Sequence, residues 1–535
     1  MTATLTSTWS AGLFSCRAIR AAIAQLGFLR VLTIVAVTPL QGCVPLPSLD
    51  GRSSTMILHD MSDTQLGKAA LPLVQAHPDK SGVFALSDGR DAFAARVLLA
   101  DASERSLDIQ YYIWNDDKTG TLLFEALRRA ADRGVRVRLL LDDNNTAGLD
   151  TVLAALNAHP NIEVRLFNPF IQRRWRVLGF LTDFWRLNRR MHNKSFTADN
   201  QATIIGGRNV GDEYFDAGQG LSFVDLDVLA IGPVVDDVSN DFDRYWTSDS
   251  SYPAERVLAR VSPSAMAEVT AAALRVERDP AAVAYMQAIA SSQYVQQVLA
   301  RRLPFEWATV HMVSDDPAKG LGRARDDELL WTRLKQLLKA PQLELELVSP
   351  YFVPGKDGVA YFSALARQGI KVTILTNSLA ATDVAAVHAG YAKRRQPMLE
   401  AGVEIFEMEP GFSPAPTKAH GPLGSSNASL HAKTFSIDRS RVFVGSFNFD
   451  PRSERLNTEL GFVIDSPTMA QAIADAFATV MPARAYRVRL NDSGALQWVA
   501  QNNGQEIVFD QEPRTGFWLR AFVAALSMLP IEWLL

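Results

Sequence analysis

One stretch of this chain is written twice. "MHNKSFTADNQATIIGGRN" runs from Met191 to Asn209, and "LHAKTFSIDRSRVFVGSFN" runs from Leu430 to Asn448. Each carries His-x-Lys, then an Asp five residues after the Lys, then a small-residue pair and an Asn. The flanking segments repeat as well. Ser106 to Asp143 reads strand, helix, strand, and so does Glu344 to Ser378, with Gly134 and Gly369 where a helix-ending glycine is expected. "NIEVRLFNPF" is matched by "GVEIFEMEPGF", and "DLDVLAI" by "NTELGFVI". The copies lie about 240 residues apart throughout, which is the mark of a duplicated unit. The expected fold is therefore α/β, with two duplicated α/β/α repeats packed about a pseudo-two-fold axis and one shared active site.

Length and composition agree. The 535 residues, 47% hydrophobic and 21% charged, can bury two sizeable cores. A formal charge of −4 argues against a protein that coats nucleic acid. The two cysteines, Cys16 and Cys43, allow no disulfide framework or thiolate metal site in the body of the chain. Arg17, Arg20 and Arg30, the apolar run "VLTIVAVTPL" and then "LQGC" describe a secretory leader, with Cys43 as the first mature residue of a lipobox-like site. An uncleaved membrane anchor is the alternative.

The expected division is 1–43 leader or anchor, 44–84 N-terminal linker and 85–250 first repeat. A helical bridge over 251–305, the second repeat over 306–484, and a β-meander with an apolar helix over 485–535 follow.

Residues two apart on a strand share a face, which puts His192 with Lys194 and His431 with Lys433. A neutral imidazole can attack phosphorus, and a second imidazolium can protonate the departing oxygen. Two lysines and the amides of Asn209 and Asn448 can surround the charged non-bridging oxygens. Such a set does what a metal often does in phosphoryl transfer. No separate cluster with ligand spacing is seen, so neither metal nor cofactor is expected.

The two motifs resemble the paired HKD motifs of the phospholipase D superfamily, over a repeat running from about Ala85 to Arg484. "QYYIWNDD", "RLLLDDNNT", "RLNRRMHNKSF" and "FNFDPRSERLNTELGFVI" are similar to bacterial cardiolipin synthases of the C-type subgroup. The resemblance implies a phosphohistidine, with His192 as nucleophile and His431 as acid and then base; sequence leaves the reverse assignment open. It makes Asp199 and Asp438 structural supports, and Asp227 and Glu459 the carboxylates that orient the imidazoles. Ordinary strand-end charge is the alternative for the last two. The implied reaction is phosphatidyl transfer onto phosphatidylglycerol, from phosphatidylglycerol or phosphatidylethanolamine, giving cardiolipin. Implied partners are these phospholipids and a membrane surface, with no nucleic acid and any accessory protein unknown. The leader and its lipobox-like Cys43, a departure not expected in every such synthase, lead to the expectation of a lipid-anchored lipoprotein facing the periplasm. A hydrolase of the same fold and a catalytically dead lipid-binding lipoprotein are the rivals.

Two further stretches suit a lipid surface. "IQRRWRVLGFLTDFWRLNRRMHNK" interleaves arginines with Trp175, Phe180, Phe184 and Trp185, which would fit an anionic membrane, stacked single-stranded nucleic acid, or an inward-packed hairpin. "GFWLRAFVAALSMLPIEWLL" is apolar almost all round and short for a span, so it reads as an interfacial or a docked helix.

Overall fold

The computed structural model describes residues 45–218, 222–410, 428–502 and 504–535. The leader-like segment with Cys16 and Cys43 lies outside the described residues. Four strands open the chain: β1 (Ser81–Leu86), β2 (Ser106–Ile113), β3 (Arg136–Asn145) and β4 (Ile162–Phe167). The first motif supplies β5 (Ser195–Ala198) and β6 (Ala202–Gly206), followed by β7 (Ser222–Val224), β8 (Asp227–Ile231) and β9 (Ser251–Pro253). β10 (Glu306–Ala308) closes the nine-stranded sheet, ordered β10-β1-β8-β6-β5-β2-β3-β4-β9.

The second half repeats the plan. β11 (Val310–Ser314), β12 (Glu344–Val348), β13 (Lys371–Asn377) and β14 (Glu404–Met408) precede the second motif. Then come β15 (Ala428–Leu430), β16 (Thr434–Ile437), β17 (Arg441–Gly445) and β18 (Leu460–Ile464). β19 (Ala485–Leu490), β20 (Leu496–Asn502) and β21 (Gln505–Phe509) extend the sheet edge beside β14 as an antiparallel meander. In both halves three parallel strands (β2-β3-β4 and β12-β13-β14) abut an antiparallel set carrying the motif. β11 pairs with β18 as β1 pairs with β8, so each repeat begins with a strand antiparallel to the one that follows its motif hairpin.

Local chemistry explains the matching crossover helices. Lys118–Asp132 is started by Asp117, whose carboxylate accepts from Gly120 N–H at 2.9 Å, and buries Leu122, Leu123, Ala126 and Leu127 at helical spacing. Gly134 (φ 95°) and Gly369 (φ 85°) end this helix and its counterpart Gly355–Arg367 in a left-handed conformation. The halves meet through an apolar layer: Val83, Ile205, Val228 and Ala230 of one pack with Val442, Val444, Leu460 and Phe462 of the other.

Three expected boundaries differ from the observed ones. Residues 44–84 are no linker: they hold the helix Gln65–Gln75 and β1, an interior strand of the first sheet. Upstream of that helix, Ser53, Thr55 and Ile57 are tied by their backbones to Arg165, Arg138 and Asp243. The bridge is helical over Ala265–Glu277, Pro280–Ala290 and Gln293–Leu299, but Tyr285, Ile289, Tyr294 and Val295 enter the core of the first half. β10, placed by sequence in the second repeat, pairs with β1 of the first. In each case an apolar face finds a partner that local pattern could not name.

Candidate active site

The motif histidines and lysines lie just ahead of β5 and β16, not inside them, and each lead-in is held by the opposite half. His192 N–H donates to Thr458 C=O at 2.9 Å, and Thr458 N–H donates to Arg190 C=O at 2.9 Å. His431 N–H and Ala432 N–H both donate to Val224 C=O, where β7 and β15 pair in parallel across the halves. The residues that follow those acceptors are Glu459 and Asp225. Their carboxylates meet the imidazoles: His192 Nδ1 lies 2.8 Å from Glu459 Oε2, and His431 Nδ1 lies 2.6 Å from Asp225 Oδ2. Each half therefore supplies the histidine of one pair and the carboxylate of the other. With Nδ1 engaged in both rings, Nε2 is the nitrogen left for chemistry.

Asp227 does not fill the role assigned from sequence. Its carboxylate is buried against Arg96 (2.7 Å) and Arg208 (3.7 Å), and the residue that orients His431 is Asp225. The two are two positions apart on an extended segment, so alternation puts both on one face and could not choose between them. The equivalence is fixed by backbone pairing: Gly207 N–H donates to Leu226 C=O as Ser446 N–H donates to Leu460 C=O, which matches Asp225 to Glu459. The second half has Gly461 where the first has Asp227.

The small-residue pairs now have a reason. A Cβ on Gly207 would stand 2.1 Å from Asp225 Oδ1, so only glycine lets the short carboxylate lie this close. In the second half Ser446 replaces it, and its hydroxyl donates to the longer Glu459, which also accepts from Ser453 Oγ at 2.8 Å.

Asp199 and Asp438 sit in hairpin turns at φ 47° and 50°. Asp199 accepts from the backbone N–H groups of Glu104, Arg105 and Ser106. Asp438 accepts from those of Gln342, Leu343 and Glu344. Neither hydrogen-bonds to an imidazole among the described residues; both fasten their hairpin to the start of a parallel strand.

Lys194 donates to His192 C=O and lies over the Tyr112 ring (5.3 Å). Lys433 donates to His431 C=O, with its Nζ 3.1 Å and 3.3 Å from the two ring nitrogens. Asn209 accepts from Ile113 N–H at 3.2 Å, while its Nδ2 is buried without a partner, as is Oδ1 of Asn448. An unpaired buried donor such as Asn209 Nδ2 is costly and suits a charged phosphodiester oxygen, whereas the unpaired Oδ1 of Asn448 is an acceptor.

Sequence reading missed three aromatic walls and a brace. Tyr112 stands edge-on to His192 at 4.8 Å, and Tyr214 and Phe223 flank His431 at 5.2 Å and 5.0 Å. Asp142, at the end of β3, accepts from Met191 N–H at 2.7 Å and from Arg190 Nε at 2.9 Å, fixing the approach to His192. Tyr112 and Asp142 fall at the carboxyl ends of parallel strands, where open α/β sheets bind ligands.

Burial, reinforced by Lys194 and Lys433, holds the His192 imidazole well below its ordinary pKa. Burial and then Lys433 bring His431 down to about 4, although Asp225 works the other way. Burial lowers both lysines. Against the pull of its own burial, His431 and Lys433 hold Asp225 below the usual carboxylate range. Glu459 is pushed up to about 7 by burial, against the opposing Lys194 charge.

The two carboxylates therefore differ, and a pH effect follows. Protonated Glu459 would donate to Nδ1 of His192 and force the proton of the neutral ring onto Nε2, where a nucleophile needs a lone pair. Ionised Glu459 restores the productive tautomer. On the Glu459 proton alone, kcat/KM should lose about tenfold per unit below about 7, superposed on the opposite limb set by the proton that His431 must carry. The Glu459→Gln profile should lack this limb; a limb unchanged in that variant would assign it to another group.

A family model described as "Cardiolipin synthase, PLD-like domain" matches residues 97–246 and 334–481, once in each half. Cardiolipin synthase C of Escherichia coli (strain K12) is 51% identical over 472 residues, covering 88% of this chain and all of that one. The chain belongs to the cardiolipin synthase family. It is thus an enzyme of the phospholipase D superfamily. An uncharacterized protein of Helicobacter pylori (strain ATCC 700392 / 26695) is 32% identical, covering 93% of this chain and 98% of that one. Among solved structures, phosphatidylserine synthase of Haemophilus influenzae Rd KW20 shares the fold. Its TM-score is 0.50 at 12% identity, covering 78% of this chain and 91% of that one.

Proposed function

We propose that this enzyme is a membrane-associated cardiolipin synthase that transfers a phosphatidyl group from phosphatidylglycerol or phosphatidylethanolamine to phosphatidylglycerol. His192 is the nucleophile. Its Nε2 attacks phosphorus while the bond to the donor's glycerol or ethanolamine oxygen breaks, and protonated His431 delivers a proton to that oxygen. His431, now neutral, takes the proton of the acceptor hydroxyl. The acceptor oxygen then forms the new P–O bond as the P–N bond breaks, which regenerates His192. Lys194, Lys433 and the amides of Asn209 and Asn448 face the non-bridging oxygens.

The observation that carries the mechanism is the crossed pairing of His192 with Glu459 and His431 with Asp225. The difference between the carboxylates supports the assignment. Asp225, held ionised by His431 and Lys433, works to keep a proton on His431 against the burial of that ring, whereas His192, whose partner Glu459 is pushed up to about 7, is held well below its ordinary pKa. The choice of phospholipids rests on the likeness to cardiolipin synthase C.

Titrating phosphatidylglycerol and measuring cardiolipin against phosphatidic acid tests the reading. Cardiolipin should exceed phosphatidic acid once acceptor saturates, and added glycerol should drive the reaction backward. Phosphatidic acid in excess at every concentration would make the enzyme a phospholipase.

Anchoring belongs to the same proposal. "LQGC" supports a lipoprotein held in the membrane and facing the periplasm, and no described helix is long and apolar enough to cross a bilayer. The intact mass of the mature chain tests it: a diacylated Cys43 at the N-terminus is expected, and retention of Met1 would exclude it.

A further inference from the structure

The lipid-like stretches singled out in the sequence lie more than 300 residues apart, yet they meet. In the segment Trp175 to Trp185, Leu181 is 83% exposed and Trp185 66% exposed, with Trp175, Val177 and Leu178 exposed beside them. At the other end of the chain the helix Phe517–Ser527 buries one stripe, Leu519, Val523 and Leu526, against Leu379, Ala385 and Ala389. The opposite stripe stays apolar and open, with Trp518 82% exposed and Phe522 and Met528 also exposed. The helix is docked and still presents an apolar face. Trp185 and Trp533 stack at 5.8 Å and join the two areas. Arg452 ties them to the site: it donates to Leu534 and Leu535 C=O, and to the backbone and side chain of Asn188, four residues before His192.

The arginines of the first stretch are not part of this face. Arg173 and Arg176 bind Asp150, Arg186 binds Asp183, and Arg190 is buried on Asp142. Arg174 is the exposed one. The surface is therefore aromatic and aliphatic rather than basic, which suits hydrocarbon better than a nucleic-acid backbone. The first area follows the carboxyl end of parallel strand β4, and the second packs on Leu379, Ala385 and Ala389, which follow the carboxyl end of β13, the edge from which the cleft is reached.

We infer that Trp175 to Trp185, the outer stripe of Phe517–Ser527, and Trp533 form one bilayer-docking face on the rim of the cleft, inserted by apolar burial and not by charge. The inference rests on the proposed phosphatidyl transfer for its purpose: both substrates keep their acyl chains in a bilayer, and a face on the rim lets a headgroup enter without the whole lipid leaving. Side chains of this kind settle about 5–10 Å into the headgroup and acyl boundary.

The test uses the full chain on phosphatidylcholine vesicles brominated in the acyl chains. Because residues 1–44 could hold the chain on vesicles alone, the readout is tryptophan quenching, not binding. Quenching is expected in the unaltered protein, and should be much reduced when Trp175, Trp185, Trp518 and Trp533 are all changed to Phe. It should persist between about 0.1 M and about 1 M salt, over which the Debye length falls from about 10 Å to about 3 Å. Leu181→Asp with Phe522→Asp should lower turnover on vesicles at least about tenfold. Turnover of monomeric dihexanoyl phosphatidylglycerol should be unchanged, which separates docking from the chemistry. Equal quenching in the four-Phe variant, or equal loss on both substrates, would overturn the inference. So would quenching by oligothymidylate, or a dimer that the two Asp substitutions dissociate; these would assign the face to nucleic acid or to a second copy.

Discussion

Changing His192 or His431 to Ala is expected to lower turnover by on the order of 10⁴-fold or more, with the double variant no worse than either single one. The reason is structural. The two rings belong to different halves, but each is oriented by a carboxylate of the other half and both sit in the field of Lys194 and Lys433. Removing one ring therefore removes a working site, not half of two. Steady-state rates of the three variants decide it. Single variants each keeping about half the activity would mean two independent sites.

The second large effect separates Asp225 from Asp227. Asp225→Asn and Glu459→Gln keep the shapes that hold the imidazoles but remove the charge that fixes the tautomer and supports imidazolium. By analogy with other histidine–carboxylate pairs, each should lower kcat by about 10²–10⁴-fold with little change in unfolding midpoint. Asp227→Asn should do the reverse. Arg96 is buried and relies on Asp227 and Tyr111, so loss of the charge leaves a guanidinium undercompensated. Breaking such a pair costs about 3–5 kcal/mol of stability, while the folded fraction should keep nearly all of its kcat. Denaturant unfolding and kcat measured on the same three proteins check both halves of the statement. An Asp227→Asn protein of normal stability and crippled kcat would return that residue to the site.

The contrast between these aspartates also marks how far the sequence could be read. The duplication, the strand–helix–strand order and the convergence of two His-Lys pairs were legible because they repeat at constant spacing and obey helix and strand periods. Glu459 was singled out beside the motif and Asp199 and Asp438 were read as structural supports, and the structure places Glu459 at His192 and the two aspartates on backbone N–H groups. Asp225 was not legible, since strand period gives the face of a residue but not its depth along the strand. The crossing of carboxylates between halves lies beyond any local pattern: it depends on β7 meeting β15 and on Thr458 meeting His192. The arginines before the first motif failed for a similar reason. Interleaved with aromatics they suit a charged surface, but their partners Asp142, Asp143 and Asp150 come from the end of β3 and the helix after it. The segment 44–84, expected to be a linker, belongs instead to the first half. β1 is a strand only because β8 and β10 stand on either side of it.

The central claim, one composite site with His192 as nucleophile and His431 as acid and base, is tested most directly by a burst measurement with phosphatidyl-p-nitrophenol. This leaving group departs as a stable anion and needs no acid, so the first step can proceed without His431, while the second still requires a base. The His431→Ala protein should release close to one nitrophenolate per chain and then stall, and the His192→Ala protein should release none. A burst from His192→Ala and none from His431→Ala would reverse the roles. Two equivalents per chain, or no burst from either, would contradict a single shared site working through a phosphohistidine.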